Sequence, residues 1–316
     1  MQLYDVIIIG GGPAGLTAGI YTSRARLRTL LVEDFTLSPQ VTTTFQIENY
    51  PGFPEGIGGL DLIERFKKQA KEFGVEFKQA RVKNVERGLT SIKEIKIETE
   101  SEVYNSLSLI IASGARPKEL GVKGEKEFRG KGVSYCATCD GPFFRDREVV
   151  VIGGGDSAVK EALYLTRFVR KVTLLHRRDK LRATKILQER LFSEQKIDVR
   201  WDSVAEEILG REKVEGVRII NLKTKEKSVL SCDGVFIFAG LLPNTDFARG
   251  VVELDEKGYV VVDSRMRTSV EGIFACGDCR STILRQVITA CGDGAFAAFS
   301  AQEYVEQLKL QAPSTK

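Results

Sequence analysis

Long apolar runs, blocks of like charge and histidine are all scarce in this sequence of 316 residues. The longest apolar run, VFIFAGLLP from Val235, is far shorter than the roughly 20 residues that a membrane-spanning helix needs. The net charge is only +4, and the lysines and arginines form no long block. These absences argue against a membrane-spanning protein and against nucleic acid as the main partner, because nucleic acid requires a concentrated basic face.

The N-terminal segment MQLYDVIIIG has neither a basic region nor a cleavage site, and it enters a predicted strand almost at once. We therefore expect an untargeted, soluble, cytoplasmic protein. Apolar residues make up 42% and charged residues 28% of the chain, which is ordinary for a globular protein. The length is sufficient for two domains with a large buried core.

Cysteine occurs six times, at positions 136, 139, 232, 276, 279 and 291, and is missing from the first 135 residues. Cys136 and Cys139 form a CxxC pair in VSYCATCDG, which is compatible with a redox dithiol, half of a zinc site or a coincidence. A zinc site requires two more ligands, but the next CxxC begins only at Cys276, and His176 is the single histidine. A structural disulfide is unexpected in an untargeted protein, so the sequence favours a redox dithiol and no metal.

The first dinucleotide-binding motif is YDVIIIGGGPAGLTAGIY. An apolar run over Val6 to Ile9 predicts a buried parallel strand, which enters Gly10-x-Gly12-x-x-Gly15 and then a helix. The glycines permit a tight turn and the close approach of a pyrophosphate, which faces the helix N-terminus. The next predicted strand, TLLVE, ends at Glu33, where a carboxylate can accept both hydroxyls of an adenosine ribose. This pattern indicates FAD or NAD.

The second motif, REVVVIGGGDSAVKEALYL, repeats the pattern with Gly153, Gly155 and Ala158 at the three key positions. The following predicted strand, KVTLLHRR, ends in a basic cluster rather than an acid. The cluster consists of His176, Arg177, Arg178 and Arg182. A positively charged strand end suits the 2′-phosphate of NADP. A solvated basic edge is the alternative explanation, although the position of the cluster favours the nucleotide.

A late segment, SVEGIFACGDCRSTILRQVITACGDGAFAAFSAQEYV, supports FAD at the first motif. A strand predicted over Gly272 to Ala275 runs into Asp278, whose carboxylate can bond ribityl hydroxyls. A helix predicted to begin near Gln286 can direct its positive end at the flavin pyrimidine, which favours the reduced, anionic flavin. The FAD site would then be built from both ends of the chain.

The chain is therefore predicted to be an α/β protein with two Rossmann-like dinucleotide-binding domains, in which the NADPH domain is inserted into a discontinuous FAD domain. Links that contain Gly and Pro mark the boundaries, at Ser113 to Leu120 and at Ala239 to Phe247. We predict FAD-binding parts at 1–116 and 244–316 and an NADPH-binding domain with the CxxC pair at 117–243. Two such domains in one chain usually mean that hydride passes from one cofactor to the other.

Nearly the whole chain, from about Leu3 to about Leu308, resembles the low-molecular-weight, bacterial-type thioredoxin reductases. The resemblance rests on CATCD between two dinucleotide turns, on HRR after the second turn, and on GD and RQ near the end. The matching residues are Gly10 to Gly15, Cys136 to Asp140, Gly153 to Ala158, His176 to Arg178, Gly277, Asp278, Arg285 and Gln286. The resemblance implies a homodimeric flavoprotein of the pyridine nucleotide-disulfide oxidoreductase family that uses FAD and NADPH. The implied activity is thioredoxin-disulfide reductase, with thioredoxin or a thioredoxin-like protein as the partner.

The resemblance also implies the roles of the redox residues. Cys139 is the thiol that faces the flavin, Cys136 attacks the partner disulfide to give a mixed disulfide, and Asp140 protonates the leaving thiolate. A CxxC pair at a helix start suits this chemistry, because a helix N-terminus lowers the pKa of a thiol. We further expect the inserted domain to turn between two orientations, because the nicotinamide and the disulfide both need access to the flavin.

The residues predicted to bind the cofactors fall into two sets. The FAD set is Gly10, Gly12, Pro13, Ala14, Gly15, Glu33, Gln40, Asn49, Asp278, Arg285, Gln286 and Val287. The NADPH set is Gly153, Gly155, Asp156, Ser157, Ala158, His176, Arg177, Arg178 and Arg182.

The sequence departs from the family in two places. Ser38 and Pro39 stand where relatives usually have two glycines before Gln40, and proline fixes φ and removes an N–H. FAD binding is still expected, with flavin potential, affinity and cofactor access open to change. Cys276 and Cys279 form another CxxC where small aliphatic residues are common. A second redox pair and two small buried hydrophobes are both compatible with this pattern, and the second is favoured.

A nucleotide-sensing binding protein, with the cysteines as a regulatory switch, is the alternative from a different class. Asp140 beside Cys139 and two complete nucleotide sites argue against it. Slow turnover of NADPH despite tight binding would favour it. If the chain is an enzyme, a glutaredoxin-like or other small redox protein is also compatible as its partner.

Overall fold

The computed structural model describes residues 3–34, 39–44, 46–88 and 94–311. The chain folds into two compact units. We call the first the split unit, because it contains both Met1–Arg116 and Leu242–Lys316, and the second, Pro117–Leu241, the inserted unit. The polypeptide therefore leaves the split unit once and returns to it once, and each unit has its own sheet and core.

The described part of the split unit contains α-helices, strands and short 3₁₀ helices. The helices are α1 (Pro13–Arg24), α2 (Gly59–Glu72) and α6 (Val287–Gln311). The strands are β1 (Leu3–Ile9), β2 (Thr29–Glu33), β3 (Glu76–Gln79), β4 (Val82–Arg87), β5 (Ile95–Thr99), β6 (Val103–Ile111) and β17 (Ile273–Ala275). Short 3₁₀ helices cover Gln40–Thr43, Asp246–Ala248 and Gly277–Cys279. Two short strands, β7 (Ala115–Pro117) and β16 (Leu241–Pro243), lie where the chain passes from one unit to the other.

The inserted unit has shorter helices and two sheets. The helices are α3 (Ala137–Asp140), α4 (Asp156–Leu165) and α5 (Lys185–Ser193), with a 3₁₀ helix over Gly141–Phe144. The strands are β8 (Val133–Ser134), β9 (Glu148–Ile152), β10 (Lys171–Leu175), β11 (Ile197–Arg200), β12 (Ser203–Gly210), β13 (Val214–Asn221), β14 (Lys227–Ser231) and β15 (Gly234–Ile237).

The sheet of the split unit has the order β3-β2-β1-β6-β5-β4, and β17 also pairs with β6. The pairs β1–β2, β2–β3, β1–β6 and β6–β17 are parallel, whereas β4–β5 and β5–β6 are antiparallel. In the centre, Ile7 of β1 is in register with Leu30 on one side and Leu109 on the other. A strand with neighbours on both sides and cover on both faces must be apolar throughout, which explains the continuous run that predicted β1.

The core of the split unit lies on both faces of this sheet. Val6 and Ile8 of β1 pack towards the face that α1 and α6 cover, and Ile7 and Ile9 pack into a second cluster on the opposite face. Small side chains of α6 with no exposed surface let that helix approach α1 closely. These are Ala297, Ala298 and Ala301. The alanine-rich late helix is thus part of the same core as the first glycine turn.

The inserted unit has a parallel sheet of order β11-β10-β9-β15-β8 and an antiparallel sheet of order β12-β13-β14. Val149 and Val151 of β9 pack in the cluster that α4 and α5 contribute to. Val150 and Ile152, on the other face, pack in the cluster that contains residues of the antiparallel sheet. Helices therefore cover one face of the parallel sheet, and a second sheet covers the other.

The predicted α/β class with two Rossmann-like folds is confirmed, because each unit has a sheet with parallel central strands, one of which runs into a glycine turn and a helix. The antiparallel strands β4, β5 and β12 to β14 were not predicted. In the part of the chain that the structure describes, no helix has both the length and the apolar character needed to cross a bilayer.

Candidate active site

The first glycine turn connects β1 to α1 and leaves an open space at the start of the helix. Gly10 has a φ of +117°, and a Cβ on Gly15 would lie 1.9 Å from the carbonyl oxygen of Gly10. A Cβ on Gly12 would meet nothing within 4 Å. Gly12 is the N-cap of α1, no side chain caps the helix, and Pro13 and Ala14 begin it. The N–H groups of the first turn are therefore available to an anion such as a pyrophosphate.

Glu33 ends β2 and lies beside this turn. A Cβ on Gly11 would lie 2.4 Å from Glu33 Oε2, so the carboxylate packs directly against the glycines. The other oxygen, Oε1, accepts a hydrogen bond from Lys67 Nζ at 2.7 Å, and the Glu33 side chain is only 16% exposed. Lys67 lies on α2, and the sequence analysis did not identify it. Several lysines lie on this helix, and no sequence spacing shows which of them contacts Glu33 at the end of β2.

The late segment lies against the same turn. Gly277 has a φ of +73°, and a Cβ there would lie 2.8 Å from the Cβ of Ala14. Its N–H donates to Asp293 Oδ2 at 3.1 Å, and the guanidinium of Arg280 donates to both oxygens of that carboxylate at 2.7 Å. This buried ion pair, which sequence reasoning also missed, fixes the loop that carries Asp278. Burial raises the pKa of Asp278 to about 6.

The segment before α6 brings further predicted FAD residues together. Asn49 Nδ2 donates to Gln286 Oε1 at 2.8 Å across a sequence separation of 237. Gln286 directly precedes Val287, the first residue of α6, so the prediction of a helix that begins near Gln286 is confirmed. The guanidinium of Arg285 lies 4.4 Å from the centre of the Tyr259 ring, and its Nε is buried without a hydrogen-bond partner among the described residues.

The segment around Pro39 is one of the two places where the sequence departs from the family that it resembles. Pro39 has a φ of −53°, and its carbonyl accepts hydrogen bonds from both the N–H and the hydroxyl of Thr42, at 2.9 and 2.7 Å. Gln40 begins the 3₁₀ helix and donates from Nε2 to the carbonyl of Ala115 at 2.7 Å. Ser38 lies outside the described residues. The proline is therefore accommodated in an ordinary turn, and Gln40 is held close to β7.

These features of the split unit fit FAD. The open space at Gly12 is what the close approach of a pyrophosphate requires. The buried Nε of Arg285 is a hydrogen-bond donor without a partner among the described residues. Burial raises the pKa of the Asp278 carboxyl to about 6. A ligand that accepts a hydrogen bond from Arg285 Nε, or donates one to the Asp278 carboxylate, would stabilise the group concerned.

The second glycine turn, in the inserted unit, repeats the geometry of the first. A Cβ on Gly153 would lie 2.5 Å from the Cβ of Ala158, so β9 and α4 are packed too closely for a side chain. A Cβ on Gly155 would meet nothing within 4 Å, and Gly155 is the N-cap of α4. The turn therefore offers a second open space at the N-terminus of a helix, as the predicted NADPH site requires.

Asp156 and Ser157, the first residues of α4, differ in what they do. Asp156 Oδ1 accepts the N–H of Thr184 at 2.7 Å, which ties the start of α4 to the start of α5. The N–H of Arg182 donates to the carbonyl of Gly154 at 2.7 Å, so the same segment is bonded to the turn itself. Ser157 is exposed. Asp156 thus supports the site, whereas Ser157 and the Arg182 side chain are open to a ligand.

His176 is separated from the arginines that follow it. It is only 4% exposed, its ring lies where a Cβ on Gly154 would be, and its Nε2 is 3.1 Å from the carbonyl oxygen of Lys180. Burial lowers the pKa of His176, and the positive charges of Arg182 and Arg177 act in the same direction. The imidazole is therefore neutral near pH 7 and forms the wall of the turn. His176 therefore adds no positive charge to the arginines with which the sequence pattern grouped it.

Arg177, Arg178 and Arg182 are all exposed. Within the described residues, none of them has an ion-pair partner. Three unpaired guanidinium groups at the end of β10, beside an open helix N-terminus, fit a nucleotide that carries a 2′-phosphate.

Cys136 and Cys139 form a disulfide, with an S–S distance of 2.13 Å and a Cα–Cα distance of 5.4 Å. Cys136 is the N-cap of α3, and its Sγ accepts the N–H of Cys139 at 3.1 Å. The N–H of Cys136 is held by Ser134 Oγ at 3.0 Å, and Asp140 is the last residue of α3. Cys139 is exposed and Cys136 is partly covered. The redox pair is therefore at the surface of the inserted unit and at the start of a helix.

The family model for pyridine nucleotide-disulphide oxidoreductases matches residues 4–294 of this chain. The chain belongs to this family. It is an oxidoreductase, and membership implies FAD and NADPH as cofactors, in agreement with the two glycine turns. The thioredoxin reductase of Listeria monocytogenes is 49% identical over 100% of this chain and 98% of its own length. That of Bacillus subtilis is 49% identical over 98% of this chain and 96% of its own length.

Solved structures of the family agree in fold. The crystal structure of thioredoxin reductase from Lactococcus lactis superposes with a TM-score of 0.93 and 47% identity, and the match covers 96% of this chain and 99% of that one. The recognition of the family from CATCD and the two glycine turns is thus confirmed.

The other cysteines of this family member are free and buried. They are Cys232, Cys276, Cys279 and Cys291. Cys279 Sγ donates to the carbonyls of Ile111 and Cys276 at 3.4 and 3.2 Å. Burial raises the pKa of Cys279 to about 11 and that of Cys232 to about 12. Such thiols behave as small core side chains, which agrees with the favoured interpretation of the sequence. Among the described residues, no group of three or more potential ligands is arranged to hold a metal ion.

Proposed function

We propose that this oxidoreductase is a thioredoxin-disulfide reductase, in which electrons pass from NADPH to FAD, then to the Cys136–Cys139 disulfide, and finally to oxidised thioredoxin. The observation that carries the proposal is the disulfide itself, at the N-terminus of a helix in a chain with two glycine turns. The relatives named thioredoxin reductase, 49% identical over nearly the full chain, support thioredoxin or a thioredoxin-like protein as the partner.

The split unit is assigned to FAD, with binding parts at 1–116 and 244–316. The pyrophosphate would be held at Gly12 by the N-terminus of α1, and Glu33 would accept hydroxyls of the adenosine ribose. Asp278 would bond the ribityl chain, and the N-terminus of α6 would face the flavin ring. The residues proposed to contribute are Gly10, Gly12, Pro13, Ala14, Gly15, Glu33, Gln40, Asn49, Asp278, Arg285, Gln286 and Val287.

The inserted unit is assigned to NADPH, with a binding domain at 117–243. Gly155 and the N-terminus of α4 would hold the pyrophosphate, and the exposed guanidinium groups would hold the 2′-phosphate. The residues proposed to contribute directly are Gly153, Gly155, Ser157, Ala158, Arg177, Arg178 and Arg182. Asp156 and His176 are proposed as supports of the turn, because both are already bonded within the unit.

The thiol chemistry follows from the position of the two cysteines on α3. When bound, FAD supplies the two-electron chemistry that links NADPH to the disulfide. Reduction leaves Cys136 at the N-cap, where the N–H of Cys139 can stabilise its thiolate. Cys136 then attacks one sulfur of the partner disulfide, and the other leaves as a thiolate that Asp140 protonates. Cys139 attacks the mixed disulfide, which releases the reduced partner and restores the Cys136–Cys139 bond.

A homodimer is proposed from the apolar surface of α6 and its neighbourhood. Six large apolar side chains, each at least 45% exposed, lie on α6, on the segment before it, and on α1, which packs against it. They are Tyr21, Ile283, Leu284, Ile288, Phe296 and Phe299. Phe296 and Phe299, which are 59% and 53% exposed, lie three positions apart and so on one face of α6. An apolar array of this kind marks an interaction surface rather than the scattered exposure of a monomer.

The dimer is tested by sedimentation of the FAD-loaded protein. The variant Phe296→Glu with Phe299→Glu should sediment as a monomer, whereas Leu60→Glu, an equally exposed position on α2, should leave the dimer unchanged. A dimer that persists in the double variant would contradict this interface. We place the enzyme in the cytoplasm, where a reducing environment suits its four free thiols.

The decisive experiment is an anaerobic titration of the FAD-loaded protein with NADPH and, separately, with NADH, followed by flavin absorbance. NADPH should bleach the flavin rapidly. Oxidised thioredoxin should then restore the absorbance in the wild type but not in Cys136→Ser. Tight binding of NADPH without bleaching would instead support a nucleotide-sensing protein, and bleaching that thioredoxin cannot reverse would indicate a different small redox partner.

A further inference from the structure

Glu161 on α4 is a carboxyl group that directly adjoins the redox helix, and neither the sequence motifs nor the proposed mechanism uses it. Helix α4 packs against α3, and the carboxyl of Glu161 accepts a hydrogen bond from the N–H of Ala137. Ala137 directly follows Cys136 and is the first residue of α3. The carboxyl therefore bonds the same helix start that presents the disulfide.

The helix start needs such an acceptor. Of the N–H groups in the first turn of α3, that of Cys139 is taken by Cys136 Sγ. The side chain of Cys136 cannot also satisfy the N–H of Ala137, and Glu161 does so from the neighbouring helix. Glu161 thus adds a second capping bond to α3 and places an ionisable group next to the helix start that presents the disulfide.

The second oxygen of the carboxyl is unsatisfied. Glu161 Oε2 is buried and has no hydrogen-bond partner among the described residues. A buried carboxylate with one unpaired oxygen is costly, whereas a carboxylic acid places a proton there. Accordingly, burial raises the pKa of Glu161 to about 7, against the opposing effects of Lys160 and the Ala137 N–H.

Few charges act on this group. Within the described residues, the one charged side chain that acts on it is Lys160 of its own helix, and Tyr164, one turn further along α4, is a neutral phenol whose pKa is itself raised. The elements packed against α4 are α3, α5, β9 and β10. Helix α3 contributes Asp140 and the two cysteines, and no charged side chain of α5, β9 or β10 acts on Glu161. A new negative charge at the start of α3 would therefore be the main change that Glu161 experiences during turnover.

We propose that Glu161 is a positioning residue for the Cys136–Cys139 couple, which takes up a proton when the disulfide is reduced and releases it when the disulfide forms again. The inference rests on the proposed function, which supplies the two electrons from NADPH. Reduction breaks the S–S bond. Two electrons and two protons convert the disulfide and the Glu161 carboxylate into one thiol, one thiolate and the Glu161 carboxylic acid.

The sign of the effect follows from like-charge repulsion. Below pH 7 Glu161 is already protonated in the oxidised protein, so its charge does not affect the disulfide. Above pH 7 the carboxylate is charged, and it opposes formation of a thiolate at the start of α3. The disulfide of the wild type should therefore become harder to reduce than that of a neutral variant, and only on the alkaline side.

The experiment measures the redox equilibrium of Cys136 and Cys139 in the FAD-loaded protein. Wild type, Glu161→Gln and the control Glu189→Gln, an exposed position on α5, are equilibrated with dithiothreitol buffers between pH 6 and 8.5. After acid quenching and alkylation, mass spectrometry of the peptide with both cysteines gives the oxidised fraction. Glutamine keeps a carbonyl acceptor for the Ala137 N–H but cannot titrate.

The wild type and Glu161→Gln should agree at pH 6 and diverge above pH 7. At pH 8.5 the equilibrium constant for reduction should be about threefold to tenfold larger in the variant, as expected for groups that interact by up to about one pK unit. Glu189→Gln should follow the wild type at every pH. A purely structural role would shift the variant by the same factor throughout, and two parallel profiles would overturn the proposal.

A second measurement needs only the wild type, in case Glu161→Gln folds poorly. The rate of alkylation of Cys136 in the reduced protein should follow two ionisations, one of which belongs to the neighbouring carboxyl. A single ionisation would count against the proposal. Because neither measurement involves thioredoxin, failure of the proposed partner would leave both readouts intact, and failure of the inference would leave thioredoxin reduction intact.

Discussion

Each unit of the molecule contains a CxxC segment, and the two are in opposite states. Cys136 and Cys139 in the inserted unit are joined in a disulfide at the N-terminus of α3, with Cys139 exposed. Cys276 and Cys279 in the split unit are free thiols with no exposed surface. The spacing of the cysteines is the same, so the difference comes from what surrounds them.

Two features of the surroundings account for the contrast. A helix N-terminus supplies N–H groups to a thiolate at Cys136, whereas burial raises the pKa of Cys276 well above its ordinary value and that of Cys279 to about 11. The Cys136–Cys139 pair is also accessible at the surface of its unit, whereas the core denies access to the other pair. A CxxC pattern is therefore a redox site only where the fold provides both a stabilised thiolate and a path to it.

The two glycine turns differ in a similar way. Both leave open space at a helix N-terminus, but the charges beside them have opposite signs and differ in exposure and in ion pairing. Glu33 is paired with Lys67 and nearly covered, whereas the arginines after β10 are exposed and unpaired among the described residues. This difference supports the proposal that the first turn binds neutral ribose hydroxyls and the second an additional phosphate.

The largest expected effect is on thioredoxin turnover, which should depend on Cys136 and Cys139 but not on Cys276 and Cys279. Cys139→Ser should reduce thioredoxin turnover by about 10³-fold or more, because the disulfide can no longer form, yet NADPH should still bleach the flavin. The matched control, Cys276→Ala with Cys279→Ala, should keep turnover within about threefold, because those thiols do not react. Steady-state reduction of thioredoxin measures both. A comparable loss in the control variant would make the buried pair a second redox centre.

Alkylation should show the same contrast without catalysis. In the reduced protein at pH 8, iodoacetamide should modify Cys136 or Cys139 at least about 100-fold faster than Cys276 or Cys279. The thiolate is the reactive form, and a thiol with a pKa near 11 is almost fully protonated at this pH. Peptide mass spectrometry at increasing times gives the four rates. Equal rates would mean that the split unit opens readily enough to expose its core.

The contrast between the glycine turns can be tested through coenzyme choice. Arg177→Ala with Arg178→Ala should lower the preference for NADPH over NADH by about tenfold to 100-fold for each phosphate bond lost, because a charge-assisted bond contributes about 1.5–3 kcal/mol. The ratio of the two kcat/KM values measures the preference. Arg211→Ala, an exposed arginine elsewhere in the inserted unit, is the control. An unchanged ratio in the double variant would remove these arginines from the phosphate site.

The parts of the fold that could be predicted are those in which the local sequence pattern matches the burial that the tertiary structure requires. The run TLLVE matches β2 residue for residue, and β10 covers the first five residues of the predicted strand KVTLLHRR, because a parallel strand buried on both faces must be apolar. Strands such as β14, with the sequence KSVLS, are largely exposed and carry no such signal. They form because their neighbours supply the pairing, which a single sequence does not display.

The candidate site could be predicted only as far as motifs reach. Glycines and strand-end charges repeat at fixed spacing, so Glu33 and the arginines could be proposed from the sequence. Lys67 lies 34 positions from Glu33, and Asp293 lies 13 positions from Arg280, so these pairs depend on how helices pack and leave no pattern. His176 was grouped with the arginines because it adjoins them in sequence, and burial alone separates it from them.

The smallest expected effect is on the free energy of unfolding, and it distinguishes Cys276 from Cys279 in the buried cysteine pair. Cys279 Sγ already donates to two carbonyls, so Cys279→Ser keeps a partner for its hydroxyl and should lower the free energy of unfolding by less than about 1 kcal/mol. No hydrogen bond to Cys276 Sγ occurs among the described residues, so Cys276→Ser buries an unpaired hydroxyl and should cost about 1–3 kcal/mol. Urea unfolding of the FAD-loaded variants measures both. Alanine at either position is the control for lost volume, and equal costs for the two serines would mean that hydrogen bonding does not distinguish the sites.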